Sequence, residues 1–169
     1  MTKKSRSIPG EVSLKDLENC PGYPAEERLE QGPVAVIECI EKIPCNPCET
    51  ACPSGAIIVG KPIINLPRLV EDKCKGCGLC IAPCPGLAIF VVDKTYSENK
   101  ATVAFPYEYL PLPEKGQVVK GLNRKGEAIC DAEVIKVMNI PKNKKTAVVT
   151  VAIPKVYSNQ VRNIEPAGG

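Results

Sequence analysis

Four cysteines crowd into Cys74-Lys-Gly-Cys77-Gly-Leu-Cys80-Ile-Ala-Pro-Cys84-Pro85, spaced by two, two and three residues and followed by proline. No other feature constrains the chain as strongly. Thiols at this spacing read as ligands for a metal group. Three thiolates two residues apart fit on one tight loop, where they can wrap three corners of an iron–sulfur cube. Gly76 and Gly78 have no Cβ, so the backbone can approach such a group and aim N–H groups at its sulfurs. By Cys84 the chain has turned away, and that thiol does not easily reach the same cube. Pro85 lacks an N–H and fixes φ, which directs the chain out of the loop.

A second run lies upstream: Cys39-Ile-Glu-Lys-Ile-Pro-Cys45-Asn-Pro-Cys48-Glu-Thr-Ala-Cys52-Pro53, with spacings of five, two and three. Its second half follows the same rule, including the Cys-Pro exit. Its first half does not, because a regular run would begin at Lys42. Cys39 stands three residues earlier, as though the loop had gained three residues. Two readings follow: Cys39 is still a ligand, or it is a buried free thiol beside a three-thiolate cluster. The first is taken here, since it completes the set of four.

On these two runs, residues 34–93 resemble a bacterial two-cluster ferredoxin domain. The resemblance covers roughly a third of the chain. It implies two [4Fe-4S] clusters with crossed ligation. One cube would take Cys39, Cys45, Cys48 and Cys84; the other would take Cys74, Cys77, Cys80 and Cys52. Crossed ligands make the clusters part of the core, so the segment should not hold its fold without metal.

The two halves of this segment also repeat. Val34-Ala-Val-Ile leads into the first run, and Ala56-Ile-Ile-Val follows its Cys-Pro exit. Leu87-Ala-Ile-Phe-Val-Val follows the second exit, and Lys61-Pro-Ile-Ile-Asn-Leu-Pro67 links the halves. Such a repeat predicts a pseudo-two-fold unit. Its apolar shell is expected from Ile57, Ile58, Ile63, Ile64, Leu79, Ile81, Leu87, Ile89 and Val91.

The remainder divides in two. Residues 1–33 are polar and broken by Pro9-Gly10, Pro21-Gly22 and Gly32-Pro33, which reads as an extended N-terminal arm with one helical turn near Val12–Glu18. Cys20 lies here and reads as an unligated thiol. Residues 94–169 are rich in β-branched residues and turn signals. Val118–Leu122 should pair with Ala128–Cys130 across Asn123-Arg-Lys-Gly126. Ala147, Val149, Val151 and Ile153 alternate as one face of a strand. The fold class expected is α+β: a pseudo-two-fold two-cluster ferredoxin domain followed by a small antiparallel β-barrel-like docking domain. Cys130 reads as a small core residue.

Composition narrows the function. The chain has no His, which excludes Rieske centres, His-ligated haem and His-based triads. No apolar h-region follows Met1-Thr-Lys-Lys-Ser-Arg, and no apolar run reaches membrane-spanning length. The expected setting is the reducing cytoplasm, where cysteine-rich runs serve metal. Residues 34–93 carry five basic and six acidic side chains, and residues 94–169 carry twelve and seven. The basic C-terminal region therefore sits beside a cluster segment that each cube makes more negative by roughly two charges. Lys142, Lys144 and Lys145 read as a solvated hairpin tip, with an acidic partner as the functional alternative. Aromatics are only 4% of the chain, so the stacking platform needed for single-stranded nucleic acid is missing.

A cube ligated by four thiolates leaves no open position for substrate and passes single electrons. No catalytic residue of the chain's own is expected. The expected role is an electron-transfer iron–sulfur subunit in a hetero-oligomer, relaying electrons to larger, flavin-containing subunits. The architecture is similar to the small ferredoxin-like components of amino-acid or amine dehydrogenase complexes. A stand-alone low-potential ferredoxin and a zinc-binding structural module are the alternatives. The regular triplet Cys74, Cys77, Cys80 fits an ordinary pair-plus-pair zinc site poorly.

Overall fold

Val34–Ile37 is a run of four apolar residues, three of them β-branched, and all four are buried. A run of this kind favours a strand covered on both faces. The computed structural model describes residues 12–167. In chain order it contains two single-turn helices, α1 (Leu14–Leu17) and α2 (Glu26–Leu29), then β1 (Val34–Ile37) and a short α3 (Pro47–Ala51). Two brief strands follow, β2 (Ile57–Ile58) and β3 (Arg68–Leu69). The rest is sheet: β4 (Ile89–Asp93), β5 (Lys100–Tyr107), β6 (Val118–Leu122), β7 (Ala128–Met138), β8 (Ala147–Pro154) and β9 (Asn163–Ile164).

β1 pairs antiparallel with β4, from Val34 opposite Val92 to Ile37 opposite Ile89. β2 and β3 form a separate antiparallel pair. β4 then turns into β5, with the Asp93 carboxylate accepting from the Thr95 N–H and hydroxyl at 2.8 and 2.6 Å. From there one seven-stranded antiparallel sheet continues in the order β1-β4-β5-β8-β7-β6-β9. The expected boundary near residue 93 thus falls between two paired strands. Buried side chains from both sides of it, including Val34, Phe90, Phe105, Val149 and Val151, belong to one apolar cluster.

The hairpin read across Asn123–Gly126 is present, with Leu122 opposite Ala128. The Asn123 side chain accepts from the Lys125 and Glu127 N–H groups and braces the turn. β8 differs from its alternating pattern. Val148 and Ala152 are buried as well as Val149, Val151 and Ile153. The reason is position: β8 lies between β5 and β7, and its second face meets the loop at Gly76–Gly78, where Val148 and Thr150 share a groove with Cys77.

Residues 12–33 are tied to this frame. Ser13 and Asp16 form a reciprocal capping box on α1, and Leu17 and Leu29 are fully buried. The N–H groups of Ile37 and Leu69 donate to the carbonyls of Gly22 and Pro21 at 3.0 and 2.9 Å, so this stretch links β1 to β3. Buried Lys94 pairs with Glu26 and Glu30 of the same stretch. Residues 1–11 of the expected arm lie outside the described residues.

The expected apolar shell is half right. Ile57, Ile81, Ile89 and Val91 are buried, whereas Ile63, Ile64, Leu79 and Leu87 are exposed. The link at 61–67 is a surface turn between two-residue strands, too short to fold its isoleucines inward.

Gly22 is the tightest joint in this frame. A Cβ there would stand 2.7 Å from Ile37 Cβ and 2.9 Å from the Pro67 carbonyl oxygen. Gly22→Ala should therefore destabilise the holoprotein by about 1–3 kcal/mol, the usual cost of overpacking. Thermal unfolding is the check, and an unchanged midpoint would show that the joint has slack.

Candidate metal centre

The first cysteine run leaves, and the second returns, at the same end of one strand pairing. β1 leads directly to Glu38 and Cys39, and the loop after Cys84 enters β4. The Glu38 N–H donates to the Ala88 carbonyl at 2.8 Å, which holds the two ends together. Pro47 opens α3 at its first turn, where a missing N–H costs nothing, and α3 carries Cys48. Cys52 caps the C-terminal end of α3. A 3-10 turn, Glu71–Lys73, delivers the chain to Cys74.

The thiols fall into two groups by the charges they exert on one another. Burial pushes Cys39 above its ordinary value, and Cys84 and Cys45 add to this. Burial pushes Cys48 up to about 11, again with contributions from Cys84 and Cys45. Cys80 is pushed up to about 12 by burial, with Cys74, Cys77 and Cys52 adding to it. Cys20 also acts on Cys39, behind Cys84 and Cys45, so these charges put Cys39, Cys45, Cys48 and Cys84 near one another, and Cys52, Cys74, Cys77 and Cys80 near one another. All four thiols of the second group also line a single cavity beneath Ala35 and Ala56.

Hydrogen bonds to sulfur concentrate on the second group. The Ala35 N–H lies 3.3 Å from Cys74 Sγ, and the Ala56 N–H lies 3.2 Å from Cys52 Sγ. Burial raises Cys52, but the Ser54 hydroxyl and the N–H groups of Ala56, Ile57 and Ser54 outweigh it and hold the thiol below its ordinary value. Donors of this kind favour thiolate, the form that binds metal. On an iron–sulfur cube they also tune the potential.

The donor set fits a cube. Four thiols of the second group surround one cavity, three of them from a single loop. A single zinc draws four thiolates to about 2.3 Å from one centre. In a cube each thiolate binds its own iron, so the sulfurs stand farther apart around a shared space.

Gly76 places the second loop. Its φ is +62°, and a Cβ would stand 2.5 Å from Pro33 Cβ and 2.7 Å from the Pro33 carbonyl. Arg28 fastens the same corner, donating to the carbonyls of Gly32, Pro33, Glu71 and Cys74. The close approach is thus to Pro33 of the chain itself, a constraint beyond the expected approach to a cube.

The other two cysteines belong to neither run, although Cys20 is near enough to Cys39 to act on it. Cys20 Sγ lies 3.4 Å from the Asp16 carbonyl and is raised by burial and by Asp16 and Glu38. Cys130 is half-buried on β7, opposite Gly121 of β6. The sequence reading missed a cluster of charge beside the first group. Arg124 binds both carboxylate oxygens of Glu38, and Arg162 Nε donates to Glu38 Oε1 at 2.7 Å. Nothing in the spacing of these three residues signals their meeting. Only the adjacency of Glu38 to Cys39 could have drawn notice.

Comparison with known proteins bears on the same loops. Residues 67–90 match the family described as 4Fe-4S binding domain. The chain is 28% identical over 116 residues to Protein Pixie of Drosophila melanogaster, a match covering 60% of this chain and 19% of that protein. It is 45% identical over 47 residues to one subunit of the ion-translocating oxidoreductase complex of Methanosarcina acetivorans, covering 28% of this chain and 17% of that one. It is 33% identical over 66 residues to the ferredoxin-type protein NapF of Haemophilus influenzae, 35% of each. The chain thus spans between 17% and 35% of the length of these relatives. No solved structure matches the chain. With the thiol geometry, these matches give the class. Residues 67–90 carry a 4Fe-4S binding domain, and the chain is similar to ferredoxin-type proteins.

Gly76→Ala should lose iron–sulfur absorbance per chain, since the strained φ and the clash at Pro33 together cost about 1–3 kcal/mol or more. Gly86→Ala, with nothing within 4 Å of its Cβ position, should leave absorbance unchanged. Equal absorbance in the two variants would contradict this placement of the loop.

Proposed function

We propose that the chain holds two [4Fe-4S] clusters with crossed ligands and relays single electrons as a subunit of a larger oxidoreductase. One cube takes Cys39, Cys45, Cys48 and Cys84; the other takes Cys52, Cys74, Cys77 and Cys80. The observation that carries this reading is the cavity that Cys52, from the first run, lines together with Cys74, Cys77 and Cys80 of the second. Each group borrows one member from the other run. The strand pairs β1/β4 and β2/β3 accord with a pseudo-two-fold ferredoxin unit, and the strands from β5 onward form its β-rich docking extension.

The subunit role rests on two supports. One relative is named as part of an oxidoreductase complex. In this chain, five strands beyond the cluster segment contribute no thiol to either group, a large extension for a free carrier. The partner we favour is a flavin-containing amino-acid or amine dehydrogenase, on the similarity of architecture alone. Among the described residues no helix is long and apolar enough to cross a membrane.

Cys77→Ala should lose one cube and loosen the remaining one, because Cys52 ties the two halves together. Iron and sulfide analysis of the variant is the check, and a full complement would sink the ligand assignment. Anaerobic co-purification from the native host tests the partner. A flavin spectrum with larger subunits in fixed ratio is expected, whereas a brown protein recovered alone would make it a diffusible ferredoxin.

A further inference from the structure

Three charged side chains from distant parts of the sequence meet beside residues 86–88, where the second cysteine run enters β4, and two of them are positive. Glu38 follows β1, Arg124 lies in the β6–β7 turn, and Arg162 precedes β9. All three are largely buried, with side-chain exposures of 9%, 15% and 5%. Arg124 clasps the carboxylate from one side and also donates to the Asn159 carbonyl at 2.8 Å. Arg162 reaches it from the other, and its Nη1 donates to the Ser158 and Val161 carbonyls at 2.9 and 2.7 Å. The Arg162 guanidinium also lies 5.2 Å from the centre of the Phe90 ring, while its Nη2 has no hydrogen-bond partner.

The triad therefore carries one net positive charge, largely buried at the wall of an open groove. Its place is specific. Glu38 adjoins Cys39, and its N–H is bonded to Ala88, four residues past Cys84. Phe90 follows on the same strand. The residues lining the cavity of the second group include none of the three. Arg28, half-buried, puts a positive charge of its own beside the second group, where it donates to the Cys74 carbonyl.

We propose that the buried Arg124–Glu38–Arg162 triad is an electrostatic control on the cluster held by Cys39, Cys45, Cys48 and Cys84, and that it raises that cluster's reduction potential. The proposal rests on the two-cluster reading above. On reduction, a cube gains one electron and one unit of negative charge, and the other cube or a redox partner loses that electron. A fixed positive charge nearby favours the reduced form. The three residues are positioning residues in this sense: they touch no electron donor, but they bias where the electron rests.

The test is an EPR-monitored potentiometric titration of the full-length holoprotein. Arg162→Met and Arg124→Met each leave the triad neutral, and each should lower one of the two midpoint potentials while the other stays in place. Either can be read if the other fails to fold. Glu38→Gln adds net positive charge and should move the same potential upward. The double variant Glu38→Gln/Arg162→Met has the charge of the native triad and should return it toward the starting value. A structural disturbance has no reason to follow the sign of the charge. Two clusters whose potentials ignore these changes, or move the same way in all variants, would overturn the inference alone. Iron sufficient for only one cube in the unaltered protein would overturn the two-cluster reading, and the inference with it.

Discussion

The pairing of Val34–Ile37 with Ile89–Val92 is the contact on which the remaining structure depends. These four residue pairs close the ends of the cysteine-bearing segment, so the chain that leaves toward Cys39 and the chain that returns from Cys84 run side by side. The same pairing gives the second strand a free edge, and the whole C-terminal sheet grows from it. Burial on both faces stabilises the pair. One face joins the apolar cluster shared with Phe105 and Val149, and the cysteine loops cover the other side. Thiol geometry and sheet are therefore parts of one packing problem, and disturbance of either reaches the other.

What could be read from the sequence was what has a local rule. Cysteine spacing is such a rule, because ligands on one loop must reach neighbouring corners of one group. Turn chemistry is another, and Asn123–Gly126 forms the hairpin that its residues require. Burial has no local rule. Ile63 and Ile64 look like core residues but sit on a surface turn, whereas Lys94 looks like surface and is buried against Glu26 and Glu30. The alternation in Ala147–Ile153 misses that Val148 and Ala152 are buried too, and Val148 shares its groove with a loop some seventy residues away. The stretch from Val12 to Pro33 reads as an arm from its prolines and glycines. Its backbone carbonyls in fact complete the edges of two strands.

Least legible of all was the charge. Glu38, Arg124 and Arg162 are separated by 86 and 38 positions, and each alone resembles a surface residue. They meet because the sheet curls until the end of β1 comes to the ends of β6 and β9. A buried carboxylate between two guanidiniums has a high desolvation cost and contributes little net stability. Burial raises Glu38, yet the hydrogen bonds and charges of Arg124 and Arg162 outweigh it and hold the carboxyl below its usual range. The group stays ionised, and its excess of positive charge persists beside Cys39. A neutral apolar cluster would close the sheet as well, so the charge itself calls for a role.

The crossed ligation of two cubes is the central claim, and the low-temperature EPR spectrum of the fully reduced protein tests it most directly. Two cubes sharing ligands between the same two cysteine runs lie close together, so their spins should interact. A broadened, split spectrum that integrates to two spins per chain is the predicted result. A single sharp, uncoupled signal integrating to one spin would contradict crossed ligation and leave Cys39, Cys45 and Cys48 without a cluster.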